Sequence, residues 1–414
     1  MLHKMRHNIY SLMHCVIITI SLIFISASCT KKNTNKNIVA PWGVINDTLQ
    51  NFDGFDLDNI VSNGELIMAT LNGPESYYDY RGGHLGTQFL LCQKFANKLG
   101  VSLRVEVCRD TMDMVEKLID GDVDVIAYWL TKSDINNAEG DTSNISLCGP
   151  TKTGTNAKWV VVSKNDDLVA ALNEWYAPSL LSQAQKEEAY MRSSRSVRHR
   201  VFAPMLDSSK GIISQYDWLF VKYGKKIRWD WRLLAAQCYQ ESTFDPNAKS
   251  WAGACGLMQI MPETSAHLNL PLSKVFLPEP NIDAATRYIA ELENKFTDID
   301  SRYERINFIL ASYNGGYHHI RDAMRLTEKN GKNPKSWHEV SKYVLLLSNS
   351  RYYNDPVVKY GFMYGSETVD YVDKIRQRWR QYSGISVTRS ENGILTPQRA
   401  KRHKKKYRLV NDID

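Results

Sequence analysis

The chain has 414 residues, of which 43% are hydrophobic and 23% are charged, a globular composition long enough for two domains. Its formal net charge of +7 lies at the two ends, since residues 386–414 carry a net +5 and Lys4 with Arg6 carries +2. The remainder is neutral, so the charge does not predict a nucleic-acid-binding surface on the folded part of the chain.

Residues 1–28 have the pattern of an export signal. Lys4 and Arg6 precede the apolar run "LMHCVIITISLIFISASC", which ends in small residues and Cys29. This arrangement resembles a bacterial lipoprotein signal, which implies that Cys29 becomes the lipidated first residue of the mature chain. A retained single-span anchor is the alternative. Both interpretations place the rest outside the cytoplasm at a membrane, and we expect the outer membrane, facing the periplasm.

Residues 29–58 are polar and rich in Asn, which predicts a tether, and a folded domain is predicted over 59–195. Its predicted elements are a strand "GELIMATL", a helix "GTQFLLCQKFANKLG", a strand "VSLRVEVC" and a helix, turn and strand "TMDMVEKLIDGDVDVIAYWL". The alternation of strands and helices predicts a parallel α/β sheet.

The pieces "YY", "FANKLGV" and "LIDGDVDVIA" of this domain resemble a periplasmic solute-binding domain of the type that binds amino acids. That family usually supplies an Arg after the strand "DVIAYWLT", where this chain has only Lys132. The segment "KWVVVSKNDDLVAALNEWY", which resembles the return to the first lobe, follows after an interval too short for a second lobe. We therefore expect a shortened, single-lobed domain, and leave open whether it binds a small ligand, contacts a protein or acts as a spacer.

After a polar, basic boundary the sequence becomes helical, and one glutamate stands out. In "WDWRLLAAQCYQES" the spacing i, i+3, i+4, i+7 gives an apolar stripe of Trp231, Leu234, Ala235 and Cys238. Glu241 falls at the edge of that stripe, and Asp245-Pro246 is expected to end the helix soon afterwards. Burial would raise the pKa of Glu241, which makes it a candidate general acid. Taken alone, a structural role at a helix end is the alternative.

Three motifs in order resemble the lysozyme-like catalytic domain of the soluble lytic transglycosylase family, here over 205–385. They are "QESTFDPNAKSWAGACGLMQIMPETS", "ASYNGG" and "GSETVDYV". The order of lipoprotein signal, solute-binding-like domain and catalytic domain resembles the membrane-bound lytic murein transglycosylases. The predicted fold is therefore α/β plus mainly α, with a shortened solute-binding-like domain followed by a lysozyme-like helical domain.

The resemblance implies a role for eight residues of the three motifs. It implies that Glu241 is the catalytic acid, that Ser250 faces the sugar, that Met258 and Gln259 line the saccharide groove, that Tyr313 and Asn314 lie near the acid, and that Glu367 and Tyr371 complete the site. Met258 and Tyr371 could equally belong to the core, and Glu367 could simply cap or pair locally.

One carboxyl suffices for the reaction that the family implies. Glycosidases that use a carboxylate nucleophile or base need a second carboxyl at about 5–9.5 Å, whereas the N-acetyl group of muramic acid can itself attack the anomeric carbon. Glu241 would protonate the leaving oxygen and then take the proton of the 6-hydroxyl, which yields a 1,6-anhydromuramic end without water or cofactor. A hydrolytic muramidase on the same fold and a cell-wall-binding sensor or scaffold are the alternatives.

Without Cys15 in the signal and Cys29, five cysteines remain, so at least one is expected to be a free thiol or to form an intermolecular bridge. Cys238 and Cys255 both flank the motifs of the site, and either a disulfide or two small buried side chains would fit. The chain has no CxxC pair, and the adjacent His318 and His319 lack a second ligand pair, so no metal site is predicted.

The segment 386–414, with "RAKRHKKKYR", is a basic run without apolar periodicity and predicts a disordered tail. It is either a solvated tail or one attracted to anionic envelope polymers or lipid headgroups. The expected partners are thus peptidoglycan strands, the membrane through lipid on Cys29, and envelope polymers or cell-wall proteins, but no nucleic acid.

Overall fold

The computed structural model describes residues 39–40, 43–44, 57–137, 142–193, 196–207 and 211–384. The predicted signal, the lipidation at Cys29, most of the tether and the basic tail lie outside these residues. Two short strands, β1 (Val39–Ala40) and β2 (Gly43–Val44), pair in antiparallel fashion. Within the described ranges, no helix has the length and apolar character needed to cross a membrane.

An α/β part comes first in the chain. Its helices are α1 (Leu57–Asn63), α2 (Thr87–Leu99), α3 (Thr111–Ile119), α4 (Lys132–Asn136), α5 (Asp166–Trp175) and α6 (Pro178–Arg192). Its strands are β3 (Glu65–Thr70), β4 (Tyr78–Tyr80), β5 (Gly83–Leu85), β6 (Ser102–Val107), β7 (Val125–Leu130), β8 (Ile145–Thr151) and β9 (Lys158–Val162). A 3₁₀ turn, Thr142–Asn144, precedes β8.

The sheet of this part has five strands in the order β6-β3-β7-β9-β8. Strands β6, β3 and β7 are parallel, as the strand and helix alternation predicted, but β9 pairs with β7 and with β8 in antiparallel fashion. The expected parallel sheet is therefore confirmed for β6, β3 and β7, whereas β8 and β9 depart from it. The reason is that β8 and β9 are joined by only a short turn, and a parallel pair needs a crossover of a dozen or more residues.

Both faces of the sheet are buried. Because side chains alternate along a strand, Leu66 and Met68 of β3 pack under α1, α2, α5 and α6, while Ala69 packs with α3 and α4 on the other face. This two-sided burial explains the nearly continuous apolar run of β3.

The second part is mainly helical. Its helices are α7 (Asp217–Lys226), α8 (Trp231–Ser242), α9 (Pro262–His267), α10 (Pro278–Lys295), α11 (Arg302–Gly315), α12 (Tyr317–Lys329), α13 (Trp337–Leu346), α14 (Ser350–Tyr353) and α15 (Gly365–Tyr382), with a 3₁₀ turn at Leu272–Lys274. Two short strands, β10 (Val197–Arg198) and β11 (Lys249–Ser250), pair in antiparallel fashion. The expected class, α/β plus mainly α, is confirmed.

Helix α8 lies in the core of the helical part. It packs against α7 and α15, and α15 also packs against α11. The predicted stripe residues Leu234, Ala235 and Cys238 are fully buried, but so are Leu233 and Ala236 on other sides of the helix. A helix that is buried nearly all round can present a reactive side chain only near an end, which is where Glu241 lies.

A β-hairpin of the α/β part, formed by β4 and β5, packs against the helical part. Tyr78 is fully buried, and its ring lies 5.1 Å from the ring of Phe362 and 5.2 Å from that of Tyr364. Asn72, before the hairpin, accepts the backbone N–H of Phe362 at 2.6 Å. These contacts fix the hairpin against the segment that leads into α15.

Candidate active site

Helix α8 ends one residue after Glu241, at Ser242. Thr243 and Phe244 then both take the left-handed conformation, with φ of 51° and 65°, so the helix ends before the Asp245-Pro246 pair that was expected to stop it. This conformation is uncommon for a β-branched residue, and strained residues cluster at functional sites. The hydroxyl of Thr243 donates to the carbonyl of Arg200 at 2.8 Å, which helps to hold the turn.

Glu241 is partly exposed and lines a cleft with a volume of about 720 Å³. The walls of the cleft include the end of α8, the segment 250–264, the end of α11 with the start of α12, the start of α15, and the hairpin of the α/β part. Arg192, Val197, His199, Tyr288 and Tyr360 also line it. The carboxyl is therefore reachable from solvent while most of its surroundings are protein.

Burial raises the pKa of Glu241 to about 7 from an ordinary value of 4.5. Two groups oppose this shift: Tyr371 donates its hydroxyl hydrogen to Glu241 Oε1, and the positive charge of Arg81 favours the ionised carboxylate. Among the described residues, no second carboxylate contributes to the shift. Both protonation states of Glu241 are thus accessible near neutral pH, which suits a group that first donates and then accepts a proton.

Tyr371 and Tyr313 approach Glu241 from α15 and α11. Burial raises the pKa of both phenols well above the ordinary value, so both remain protonated donors. Tyr313 donates to the carbonyl of Met258 at 2.8 Å, and Asn314 accepts the hydroxyl hydrogen of Thr368 at 2.8 Å. The structure therefore gathers these predicted residues around the acid.

The predicted residues of the segment after α8 divide into two groups. Ser250 and Gln259 line the cleft, with the hydroxyl of Ser250 accepting the N–H of Ala254 at 3.0 Å. Gln259 has a left-handed φ of 47°, and its amide donates to the carbonyls of Gly256 and Ala248 at 2.9 and 3.2 Å. The side chain of Met258 is fully buried in the core, which is the second of the two interpretations given for it.

Glu367 lies at the start of α15 and is held by the hairpin of the α/β part. Tyr80 donates its hydroxyl hydrogen to Glu367 Oε2, and the guanidinium of Arg81 lies 3.2 Å from the same oxygen. Glu367 therefore neither caps its own helix nor pairs locally. It joins two parts of the chain at the wall of the cleft.

Sequence reasoning missed the contribution of Tyr80 and Arg81 to the cleft. A local signal for the hairpin exists in "YYDYRGGHL", where Tyr-rich extended residues flank a two-residue turn that contains Gly82. Nothing local indicates that this turn reaches a glutamate 287 residues away.

Asp245 and the two cysteines of the site have structural surroundings. Asp245 is buried, and its carboxylate accepts the backbone N–H groups of Arg200 and Asn247 at 2.6 and 3.0 Å. Cys238 and Cys255 are free and buried, and their thiols donate to the carbonyls of Leu257 and Gly253, respectively. Cys238 and Cys255 are therefore two small buried side chains and do not form a disulfide with each other.

Comparison with known proteins identifies the family to which this chain is similar. The transglycosylase SLT domain family matches residues 219–336. The membrane-bound lytic murein transglycosylase F of Serratia proteamaculans (strain 568) is 27% identical over 427 residues, covering 80% of this chain and 87% of that protein. That of Yersinia enterocolitica serotype O:8 is 30% identical over 376 residues, covering 83% of this chain and 75% of that protein.

The chain belongs to the membrane-bound lytic murein transglycosylase F family. The resemblance seen in the sequence and the expectation of an enzyme are thereby confirmed. Among solved structures, the 70 kDa soluble lytic transglycosylase of Escherichia coli is 25% identical over 41% of this chain and 24% of that chain, with a TM-score of 0.27, too low to support a structural conclusion. The SLT match contains Glu241 but not Glu367 or Tyr371, so the individual roles stay predictions.

Proposed function

We propose that this chain cleaves the β-1,4 bond between N-acetylmuramic acid and N-acetylglucosamine in peptidoglycan and leaves a 1,6-anhydromuramic end. Its membership of the transglycosylase F family carries the reaction class. The observation that supports the mechanism is the placement of Glu241 at the end of a buried helix. Burial raises the pKa of this carboxyl to about 7.

In the first step Glu241 is the acid. Its proton passes to the glycosidic oxygen, the bond between that oxygen and the anomeric carbon breaks, and the acetamido oxygen of the muramic residue bonds to the anomeric carbon. A carboxyl that is partly protonated near neutral pH can supply this proton. General acid catalysis of this kind contributes about 10²–10⁴-fold to the rate.

In the second step the same carboxyl, now ionised, is the base. It takes the proton of the muramic 6-hydroxyl, whose oxygen bonds to the anomeric carbon and displaces the acetamido oxygen. The hydrogen bond from Tyr371 stabilises the carboxylate that the first step leaves behind, and so it favours the proton donation that precedes this step. Each proton that Glu241 donates is returned, and no water enters the product.

The cause of the raised pKa of Glu241 supports a route that uses a single carboxyl. A carboxylate nucleophile about 5 Å away would repel the ionised form and raise the pKa through like charge. In the described part of the chain the upward shift comes from burial, and the charged group that acts on Glu241 is the cation Arg81. Ser250, Gln259, Tyr313 and Asn314 line the same cleft and are proposed to position the saccharide.

By its family the chain is a membrane-associated enzyme of the cell envelope. The anchor through lipid on Cys29 in the outer membrane, and the domain limits 59–195 and 205–385, belong to this proposal. So do contacts of the basic tail with anionic envelope polymers and of the α/β domain with cell-wall proteins.

The deciding experiment is mass spectrometry of the muropeptides that the full chain releases from purified peptidoglycan. We expect products one water lighter than hydrolytic ones, and no release by Glu241→Gln. Products with reducing ends would replace the proposal with a muramidase. No release by the unchanged chain would favour a binding role.

A further inference from the structure

The turn of the β4–β5 hairpin holds an arginine in an unfavourable backbone conformation. Tyr80 pairs with Gly83, so Arg81 and Gly82 form a two-residue turn, and both have positive φ, 50° and 74°. Such turns favour Asn or Gly at the first position, because a longer side chain is strained in the left-handed region. A strained arginine at a cleft wall suggests that its side chain is needed there.

The guanidinium of Arg81 has spare hydrogen-bonding capacity. Its side chain is 40% exposed and lines the cleft, and its ion pair with Glu367 joins Nη2 to Oε2 at 3.2 Å. Guanidinium has five N–H donors arranged to grip a carboxylate with two parallel bonds. One contact with Glu367 leaves donors available on the cleft side.

The hairpin is fixed on both sides, so the position of the guanidinium is set before substrate arrives. On one side the ring of Tyr80 stacks on that of Trp251, with centroids 6.5 Å apart, and Gly82 lies against Met261. On the other side Tyr80 and Arg81 hold Glu367. A preorganised cation loses little conformational entropy on binding an anion.

The position of Arg81 relative to the acid defines which part of the substrate it would meet. Arg81 and Glu241 line the same cleft, and the charge of Arg81 acts on the carboxyl of Glu241, so the guanidinium faces the part of the cleft that would hold the reacting bond. If the proposed function holds, the sugar beside that bond is muramic acid, whose lactyl group carries either a free carboxylate or a stem peptide with its own carboxylates. Neutral N-acetylglucosamine has no such group.

We propose that Arg81, supplied by the α/β part of the chain, binds a carboxylate of the muramic residue next to the cleavage site and so selects muramic-acid-containing strands. This inference rests on the proposed function and deepens it. Arg81 is then a substrate-binding residue, and Glu367 holds it in place until substrate competes for the guanidinium.

The test measures binding and not cleavage, with the full chain in the Glu241→Gln background. Three probes are used: peptide-free peptidoglycan glycan with lactyl carboxylates, the same glycan with those carboxylates converted to methyl amides, and glycan that retains its stem peptides. The variant is Arg81→Asn, since Asn suits the first position of this turn and preserves the hairpin. Arg104→Gln, an exposed arginine on β6 that pairs with Glu65, is the matched control.

With Arg81 present, we expect the carboxylate glycan to bind about tenfold tighter than the amidated glycan, the size expected for a charge-assisted contact. Arg81→Asn should abolish this preference and leave the affinity for amidated glycan unchanged, whereas Arg104→Gln should keep it. The peptide-bearing glycan is also compared with the amidated glycan. If it alone binds more tightly in an Arg81-dependent manner, the carboxylate that Arg81 binds belongs to the stem peptide.

A purely structural role predicts a different result. If Arg81 merely supports Glu367, then Arg81→Asn should weaken all three probes equally, and Glu367→Gln should do the same. Under the proposal Glu367→Gln instead strengthens carboxylate binding severalfold, because the guanidinium loses its competitor. Equal weakening of all three probes overturns the inference, and so does the absence of tighter binding by both carboxylate-bearing glycans when Arg81 is present. Since cleavage is not measured, a chain that binds with this preference but fails to release anhydro products would refute only the proposed reaction.

Discussion

The two glutamates of the cleft have the same carboxyl group and different surroundings. Glu241 ends a buried helix, and burial raises its pKa to about 7 while one phenol donates to it. Glu367 begins α15, and it receives a phenol and a guanidinium from the α/β part. The comparison teaches that burial lets one carboxyl hold a proton near neutral pH, whereas the contacts of the other make it a structural link between two parts of the chain.

The largest expected effect separates the two glutamates by activity. Glu241→Gln should lower the release of anhydromuropeptides at least 10³-fold, because it removes both the proton donor and the proton acceptor. Glu367→Gln should change it by less than tenfold in either direction, since the amide still accepts from Tyr80. Release rates measured by mass spectrometry check both. A similar loss in the two variants would remove the distinction between them.

The next effect concerns the packing that places both Glu367 and Tyr371. At Gly365, the first residue of α15, a Cβ would overlap the carbonyl oxygen of Val344 at the end of α13. We expect Gly365→Ala to lower the free energy of unfolding by roughly 2–4 kcal/mol, because backbone must move to make room. Urea unfolding measures this change. The control is the exposed neighbour Ser366. Ser366→Ala should change the free energy of unfolding by less than about 0.5 kcal/mol.

Much of this arrangement could be predicted from the sequence, and the exceptions have physical reasons. Glu241 was predictable because the apolar spacing before it and the motifs after it are local. Met258 was placed ambiguously because it directly precedes Gln259 in the motif, yet Met258 is buried in the core while Gln259 lines the cleft. The contacts of Glu367 with Tyr80 and Arg81 were missed because these partners come from the other part of the chain. The direction of β9 was missed because β8 was not recognised as a strand.

A third prediction uses the pH dependence of stability. The folded state holds the Glu241 proton up to a pKa of about 7, and the unfolded state releases it near 4.5, so the free energy of unfolding should fall as pH rises between these values. Glu241→Gln should abolish this fall, which we expect to be about 3 kcal/mol. Urea unfolding at pH 4.5 and pH 8 measures it. The control, Glu116→Gln, removes an exposed carboxyl on α3, and a slope lost in both variants would contradict the assignment.

The smallest effect concerns the phenol that donates to Glu241. Tyr371→Phe removes a hydrogen bond that favours the ionised carboxylate, so the pKa of Glu241 should rise by about one unit above 7. Activity that requires the protonated acid should then persist to higher pH. The midpoint of the alkaline limb in the pH profile of kcat/KM checks this. The matched control is Tyr80→Phe, which removes a phenol that donates to Glu367 instead of Glu241. An unchanged or lower midpoint would show that Tyr371 does not act on the acid.

The hairpin contact also bears on the order in which the chain folds. Glu241 and Tyr371 lie 130 residues apart within the helical part, whereas Tyr80 and Glu367 are separated by 287 residues. Contacts of greater sequence separation form later on average, because closing a longer loop loses more entropy. The acid is therefore expected to gain its buried surroundings before the arginine arrives beside it. A chain interrupted at that stage would be folded around its acid and still lack one wall of its cleft.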